Sequence, residues 1–210
     1  MSERDDAIAV PRLTRKGKAT RERIVETAAQ LMFDGGVAGT SIDDVKRAAG
    51  VSSSQLYHYF VDKQALVHAV IAHQTQVVLD VQRPLLSALD SFEALETWRD
   101  VIVGLQADRH GQGGCPIGSL GGELAEVDVD ARNELADSFA QWESAIRDGL
   151  HAMRERGVLG PDADPDRLAL AMLAALQGGL LLTQIRRETT PLEVALDAAI
   201  AHVETFRAVA

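Results

Sequence analysis

The chain has 210 residues, a single cysteine (Cys115) and a formal net charge of −10 at pH 7. One cysteine excludes an intramolecular disulfide framework and is consistent with a reducing compartment. The acidic balance argues against a protein that binds polyanions over its whole surface. Residues 1–6 lack the apolar core of a signal peptide, so we expect a cytoplasmic protein with no membrane partner.

The charge is distributed unevenly along the chain. Residues 1–65 carry 10 Lys and Arg against 9 Asp and Glu, whereas residues 66–210 carry 11 against 22. Six basic residues fall within residues 12–23. Such a run is typical of a solvated tail or of a basic arm that becomes ordered on nucleic acid. We predict that residues 1–18 form a flexible basic arm, and that the acidic remainder of the chain faces away from any bound nucleic acid.

Three short helices are predicted within residues 19–65. Ile24, Ala28 and Leu31 form one apolar stripe of a helix over residues 20–34, which Gly35 and Gly36 end. A second helix follows, whose apolar positions Ile42, Val45 and Ala49 recur at helical spacing.

A helix-turn-helix is indicated by what comes next. Gly50 can adopt a left-handed conformation, which lets the chain reverse within about three residues. Ser52 is a suitable N-cap for a short third helix, which buries Leu56, Tyr59 and Phe60.

The outward face of the third helix carries the residues that can reach DNA. In helix-turn-helix proteins the first residues of the second helix of the motif contact base edges, and neighbouring groups hold phosphates. Gln55 could hydrogen-bond an adenine edge, or it could only complete a capping box with Ser52. Lys63, at the start of the next helix, could supply positive charge to a phosphate. The predicted DNA-binding residues are Arg15, Lys16, Thr40, Ser41, Ser52, Ser53, Ser54, Gln55, Tyr57, His58 and Lys63.

This segment resembles the DNA-binding domain of TetR-type transcriptional regulators. The similarity extends from residue 20 to residue 66 and rests on Arg23-Ile24-x-x-x-Ala28-x-x-Leu31-x-x-x-Gly35, Thr40-Ser41-Ile42-x-x-Val45, Ala48-Ala49-Gly50-Val51-Ser52 and Leu56-Tyr57-His58-Tyr59-Phe60-x-x-Lys63-x-x-Leu66. The resemblance implies an all-α homodimer with an N-terminal DNA-binding domain and a C-terminal domain that binds a small effector. The family often has Lys-Gly where this chain has Ser53-Ser54, so one phosphate-binding charge is missing here.

Residues 66–210 are predicted to form the helical effector-binding and dimerisation domain. A helix over residues 62–83 would leave the DNA-binding domain, stop before Pro84 and act as a lever between the two domains. Further helices are predicted over residues 92–108, 130–156, 166–187 and 191–208. The 166–187 helix is apolar around most of its surface and must therefore be covered on most sides. Its apolar run is short for a membrane span. Packing of the last two helices against a second copy would form a homodimer; a monomer in which they are ordinary core is the alternative.

The glycine-rich passage over residues 111–122 permits three interpretations. It fails as a phosphate-binding loop, because Pro116 interrupts the glycine pattern and no lysine follows Gly118. Cys115 with His110 could form a nucleophilic pair, but no third group to orient it is visible. The third interpretation rests on Gly114-Cys115-Pro116-x-Gly118-x-Leu120 followed by Glu123-Leu124, which resembles the C-terminal domain of the LmrA/YxaF-like subgroup of TetR regulators.

An effector pocket in such a domain would be apolar with a few polar groups. Gln177 is the best polar candidate, whereas the tryptophans could equally be core. No cofactor is predicted, and His68 and His73 are poorly spaced for a metal. The predicted effector-binding residues are Trp98, Ile102, Cys115, Phe139, Trp142, Met172, Leu176 and Gln177.

The sequence thus predicts a repressor that a small apolar or aromatic effector releases from a palindromic double-stranded DNA operator. Two alternatives remain open. One is a small α-helical enzyme that uses Cys115 or a carboxylate in the C-terminal cavity. The other is a DNA-binding protein that responds to no effector.

Overall fold

The computed structural model describes residues 14–208. Within this range the regular secondary structure is α-helical, apart from one isolated β-bridge between Leu159 and Arg207. The predicted all-α class is confirmed. The helices of this range are α1 (Arg15–Gly39), α2 (Ile42–Ala49), α3 (Ser53–Tyr59), α4 (Lys63–Leu86), α5 (Phe92–Asp108), α6 (Pro116–Leu124), α7 (Val129–Glu155), α8 (Pro165–Arg186) and α9 (Thr190–Glu204).

The first helix begins earlier than predicted. Thr14 caps α1 by accepting a hydrogen bond from the Gly17 N–H at 3.1 Å. Residues 15–18 therefore belong to a helix, and the prediction that they lie in a flexible arm is wrong. Lysine and arginine are good helix formers, so a capped basic run can extend the helix N-terminally. Residues 1–13 of the predicted arm lie outside the described residues.

The fourth helix continues through Pro84 and ends at Leu86, so the predicted stop before this proline is wrong. Pro84 lies within the last turn, where a proline removes few helical hydrogen bonds, and the Ser87 N–H still donates to the Arg83 carbonyl at 2.9 Å. The α5 helix has the predicted bounds, whereas α9 ends at Glu204, four residues before its predicted end at 208.

The core joins the two parts of the molecule. Helix α4 packs against α1 on one side and against α7 on the other, so it belongs to both domains. Trp98 and Trp142 are the largest fully buried side chains of the C-terminal part, together with leucines and isoleucines of α5 and α7. Each buried side chain of this size contributes about 1.5–3 kcal/mol by removal of apolar surface from water.

Helices α8 and α9 pack closely on each other but leave apolar stripes exposed. By length and composition α8 could cross a membrane, yet it packs on α7 and α9. Small residues stand in the middle of its stripe, which allows another helix to approach closely. The exposed positions are Leu170, Ala171, Ala174, Gly178, Leu181, Leu182 and Ile185 on α8, and Val194, Ala198 and Ala201 on α9.

Candidate DNA-binding face and effector cavities

Helix α2 is fixed at both ends by local signals. The Ser41 hydroxyl accepts a hydrogen bond from the Asp44 N–H at 3.2 Å, and the Asp44 carboxylate accepts one from the Ser41 N–H at 3.1 Å. The Ser41 hydroxyl also donates to the Asp44 carboxylate, and this bond, followed by the one from the Ser41 N–H, holds the pKa of Asp44 below its ordinary value. Gly50 ends the helix with φ of 63°, in the left-handed region that glycine adopts without strain.

Helix α3 begins with a second capping box and presents a polar face. The Gln55 N–H donates to the Ser52 hydroxyl at 3.2 Å, and the Gln55 Oε1 accepts from the Ser52 N–H at 2.9 Å. Leu56 and Phe60 are buried. Tyr57 is 55% exposed, and the remaining exposed side chains are Ser53, Ser54, Gln55 and His58.

Gln55 thus completes the capping box, as one of the two interpretations of the sequence stated. Its carbonyl oxygen is engaged with Ser52, while the amide nitrogen at the same end of an exposed side chain takes no part in the box. The two roles are therefore compatible, and a base contact by Gln55 stays a prediction.

Two more of the predicted DNA-binding residues, Thr40 and Lys63, donate to backbone carbonyls near the end of α1. Thr40 is only 4% exposed, and its hydroxyl donates to the Gly36 carbonyl at 2.9 Å. The Lys63 ammonium donates to the Val37 carbonyl at 2.6 Å. A phosphate contact by Lys63 would require it to give up or share this bond. Arg15 and Lys16, in contrast, are exposed in the first turn of α1.

Helix α6 links the DNA-binding domain to the rest of the molecule. The Glu123 carboxylate accepts a hydrogen bond from the Val37 N–H at 2.8 Å. Val37 follows Gly36, whose φ of 76° interrupts α1 at the glycine pair predicted to end this helix. Two more polar contacts join the start of α4 to the start of α7: Gln64 donates to Asp128 at 3.0 Å, and His68 lies 3.0 Å from Glu134.

Two of the cavities in the C-terminal domain are lined by predicted effector-binding residues. The smaller, of about 110 Å³, lies among α4, α5, α7, α8 and the start of α6, and we call it the inner cavity. The larger, of about 600 Å³, lies among α6, α7 and α8, and we call it the outer cavity. The inner cavity is lined by Val77, Val78, Val81, Gln82, Ile102, Leu105, Gln106, Arg109, Gly114, Cys115, Pro116, Trp142, Leu176 and Leu180.

The predicted effector-binding residues are divided between these cavities. Ile102, Trp142 and Leu176 line the inner cavity, Phe139 and Gln177 line the outer cavity, and Cys115 lines both. Trp98 and Met172 line neither cavity. Both are buried in the core, so the structure does not place them where they were predicted, in the wall of an effector pocket.

Sequence reasoning missed Gln82 and Gln106, which line the inner cavity. A glutamine on an otherwise apolar helix face indicates a polar contact in a pocket. Among the glutamines, only Gln177 was predicted to make such a contact.

Cys115 is structural in this arrangement. Its sulfur accepts a hydrogen bond from the Gly118 N–H at 3.3 Å and so caps α6, and Pro116 occupies the first turn of that helix. Burial raises the pKa of the Cys115 thiol above its ordinary value near 9.0, which keeps it protonated and poorly nucleophilic at neutral pH. His110 is exposed. Within residues 14–208, no group of three or more His, Cys, Asp or Glu side chains is placed to hold a metal ion.

Comparison with known proteins gives a consistent result for both domains. Residues 24–70 match the family described as bacterial regulatory proteins, tetR family, and residues 92–199 match the tetracyclin repressor-like C-terminal domain. The chain is 29% identical over 175 residues to the HTH-type transcriptional repressor DhaR of Mycobacterium sp. (strain GP1), covering 82% of this chain and 86% of that protein.

Two further relatives support the same result. An uncharacterized HTH-type transcriptional regulator in the lacX 3' region of Lactococcus lactis is 31% identical over 183 residues, covering 85% of this chain and 90% of that protein. The crystal structure of a TetR transcriptional regulator from Chloroflexus aurantiacus superimposes with a TM-score of 0.79 at 29% identity, covering 94% of this chain and all of that one (100%).

Proposed function

The chain belongs to the TetR family of bacterial transcriptional regulators, and on that premise we propose that it is a repressor which a small effector releases from a palindromic operator. It is a DNA-binding regulator and not an enzyme. The observation that carries the proposal is the polar face of α3, which stands outward on a helix whose opposite side is buried. The relative DhaR is named a repressor, which supports repression rather than activation by this chain. Soluble regulators of this kind act on DNA, so we propose a cytoplasmic location.

The exposed stripes of α8 and α9 support a homodimer built on these two helices. Two such helices from each subunit can form a four-helix interface, which would bury the apolar side chains that one subunit leaves exposed. A two-fold dimer then presents two copies of α3, which read two half-sites about one DNA turn apart or a multiple of it. The operator is palindromic for this reason.

Helix α6 is the element we propose to carry the effector signal, in addition to the predicted lever α4. At its start, Cys115 and Pro116 line the inner cavity, and at its end Glu123 holds the Val37 N–H. The nine residues of α6 span only about 13 Å, and a helix this short moves as one unit. A displacement of its start in the cavity therefore also displaces its end at Val37. An effector acts only if it binds the two states with different affinity, and a coupling of about 1–3 kcal/mol changes operator affinity roughly 5–150-fold.

Substitution of Glu123 by alanine is expected to weaken this coupling. The Val37 N–H loses its charged acceptor, and the end of α1 is no longer tied to α6. We expect the ratio of operator affinities without and with effector to fall by about fivefold, measured by titrating a labelled operator with and without a compound that releases the wild-type complex. Glu126→Ala, which removes an exposed carboxylate just after α6, is the matched control. An unchanged ratio in Glu123→Ala would exclude α6 as the coupling element.

Selection of bound duplexes from a random pool tests the DNA-binding function directly. We expect the retained sequences to share a palindrome, and we expect affinity for it to fall steeply between about 50 and 200 mM salt, by about 10³-fold if six phosphates are contacted. Retention of no duplex at the lowest salt would contradict the proposal. Enrichment of a single half-site without symmetry would contradict the dimeric mode of binding.

A further inference from the structure

Two buried polar atoms in the wall of the inner cavity have no protein partner. The Trp142 Nε1 and the Gln106 Oε1 make no hydrogen bond within residues 14–208, although the two residues are only 2% and 5% exposed. Both residues line the inner cavity. Buried polar groups are nearly always hydrogen-bonded, so two unpaired groups in the lining of one cavity are partners that a ligand there could satisfy.

A second tryptophan and glutamine in the same domain show the contrast. The Trp98 indole N–H donates to the Gln82 Oε1 at 3.1 Å, and both side chains are buried. This pair is satisfied within the protein and needs no ligand. The indole of Trp142 is as deeply buried as that of Trp98, but it is left with its donor facing no acceptor of the chain.

The rest of the inner cavity limits the ligand by size and charge. Most of its lining is aliphatic, its charged residue is the exposed Arg109, and no carboxylate is present among its lining residues. A cationic ligand would therefore be desolvated without a counter-charge. The volume of about 110 Å³ is somewhat below that of an apolar cavity of about 150 Å³ that accommodates benzene. The cavity therefore accommodates a group of about the size of one six-membered ring, and its wall opens to the surface beside the exposed Val77 and Val81.

We propose that the inner cavity binds a small uncharged alcohol or phenol, a class that goes beyond an unspecified apolar effector. This inference rests on the proposed function, in which a ligand of the C-terminal domain controls operator binding. The ligand hydroxyl accepts a hydrogen bond from the Trp142 N–H and donates its own proton to the Gln106 Oε1. An ether or a carboxylate has no proton to donate, so it would leave the Gln106 oxygen unpaired. A hydrocarbon would leave both groups unpaired.

Binding of phenol, cyclohexanol, toluene, anisole and benzoate to the full chain tests this chemistry. We expect phenol and cyclohexanol to bind at least about tenfold more tightly than toluene, anisole and benzoate, measured by titration calorimetry. Toluene or benzoate binding as tightly as phenol would overturn the proposal, as would the absence of phenol and cyclohexanol binding at millimolar concentration.

The Gln106→Leu variant tests the hydrogen bond from the ligand to Gln106 while it leaves the shape of the cavity nearly unchanged. Leucine is close to glutamine in size and removes the unpaired oxygen, so the ligand-free variant should unfold at an equal or higher temperature than the wild type. The advantage of phenol over toluene should fall about tenfold, while toluene binding is retained as evidence that the cavity is intact. Gln177→Leu removes the unpaired amide of the outer cavity instead, and it should keep the wild-type preference because the ligand hydroxyl lies in the inner cavity. The reverse result, loss of the preference in Gln177→Leu only, would move the site to the outer cavity and overturn the proposal.

The failure of this inference and that of the proposed function give different results. Phenol binding without any change in operator affinity would leave the cavity chemistry standing and would contradict ligand control of DNA binding. Release of the operator by another class of compound, without binding of phenol or cyclohexanol, would overturn the hydroxyl assignment and leave the repressor function standing.

Discussion

Replacement of Ile185 by glutamate is expected to dissociate the homodimer and to lower operator affinity by at least about 100-fold. Ile185 is 67% exposed near the end of α8, in line with the other exposed apolar residues of that helix. A glutamate there would be buried without a partner in a four-helix interface, and its desolvation opposes association. A monomer contacts one half-site only, so it loses the gain of about 10²–10⁴ that simultaneous binding of two sites provides.

Analytical ultracentrifugation and operator titration on the same samples check this prediction. Circular dichroism should show unchanged helix content, because Ile185 makes its contacts outside the subunit core. Val101→Glu serves as the control, since Val101 is also exposed but lies on α5 and belongs to neither stripe. A dimeric Ile185→Glu variant with full operator affinity at micromolar concentration would show that the interface lies elsewhere.

Replacement of Gln55 by glutamate is expected to lower operator affinity by about tenfold or more without loss of stability. The glutamate keeps an acceptor for the Ser52 N–H at the third position of α3, where the helix dipole also favours a negative charge. The same charge would face DNA phosphates if α3 enters the groove, and the loss of affinity should be greater at low salt than at high salt.

Gln55→Ala should have the opposite effects, a loss of stability and a smaller loss of operator affinity. It removes one of the two bonds of the capping box, the one that the Ser52 N–H donates to the Gln55 side chain, which is expected to lower the free energy of unfolding by about 0.5–1.5 kcal/mol. It adds no charge, so operator affinity should fall less than in Gln55→Glu. Thermal unfolding and operator titration of both variants separate the structural role of Gln55 from its proximity to DNA. Gln141→Glu, on the exposed side of α7, controls for the added charge. Equal affinity losses in Gln55→Glu and Gln141→Glu would place α3 away from the DNA.

The DNA-binding domain was predictable in its architecture because its signals act over a few residues. The capping boxes of α2 and α3 each join residues three positions apart, and Gly50 ends α2 through its own backbone conformation. The periodicity of apolar residues likewise identified the buried face of α3. Where such a local signal was ambiguous the bounds were wrong, as at the start of α1 and at Pro84.

The functional consequences of single side chains were less predictable, since they depend on residues far away along the chain. Lys63 donates to a carbonyl 26 positions earlier, and Glu123 accepts from an N–H 86 positions earlier. Neither partner can be read from the residues next to these side chains. The contact of Glu123 adds α6 to the predicted lever α4 as a path between the domains.

The sequence by itself determined the helices other than α6, the helix-turn-helix and the family, because propensity, capping and apolar periodicity are properties of short segments. Only the tertiary structure decided which polar groups are paired. The Trp98 N–H is hydrogen-bonded to Gln82 in the core, whereas the Trp142 N–H and the Gln106 oxygen have no hydrogen-bond partner. The physical reason is that a polar side chain is satisfied or orphaned according to what other helices bring within hydrogen-bond distance of it. Two tryptophans on equally apolar helix faces give the same pattern along the chain, and they differ only once the helices are packed.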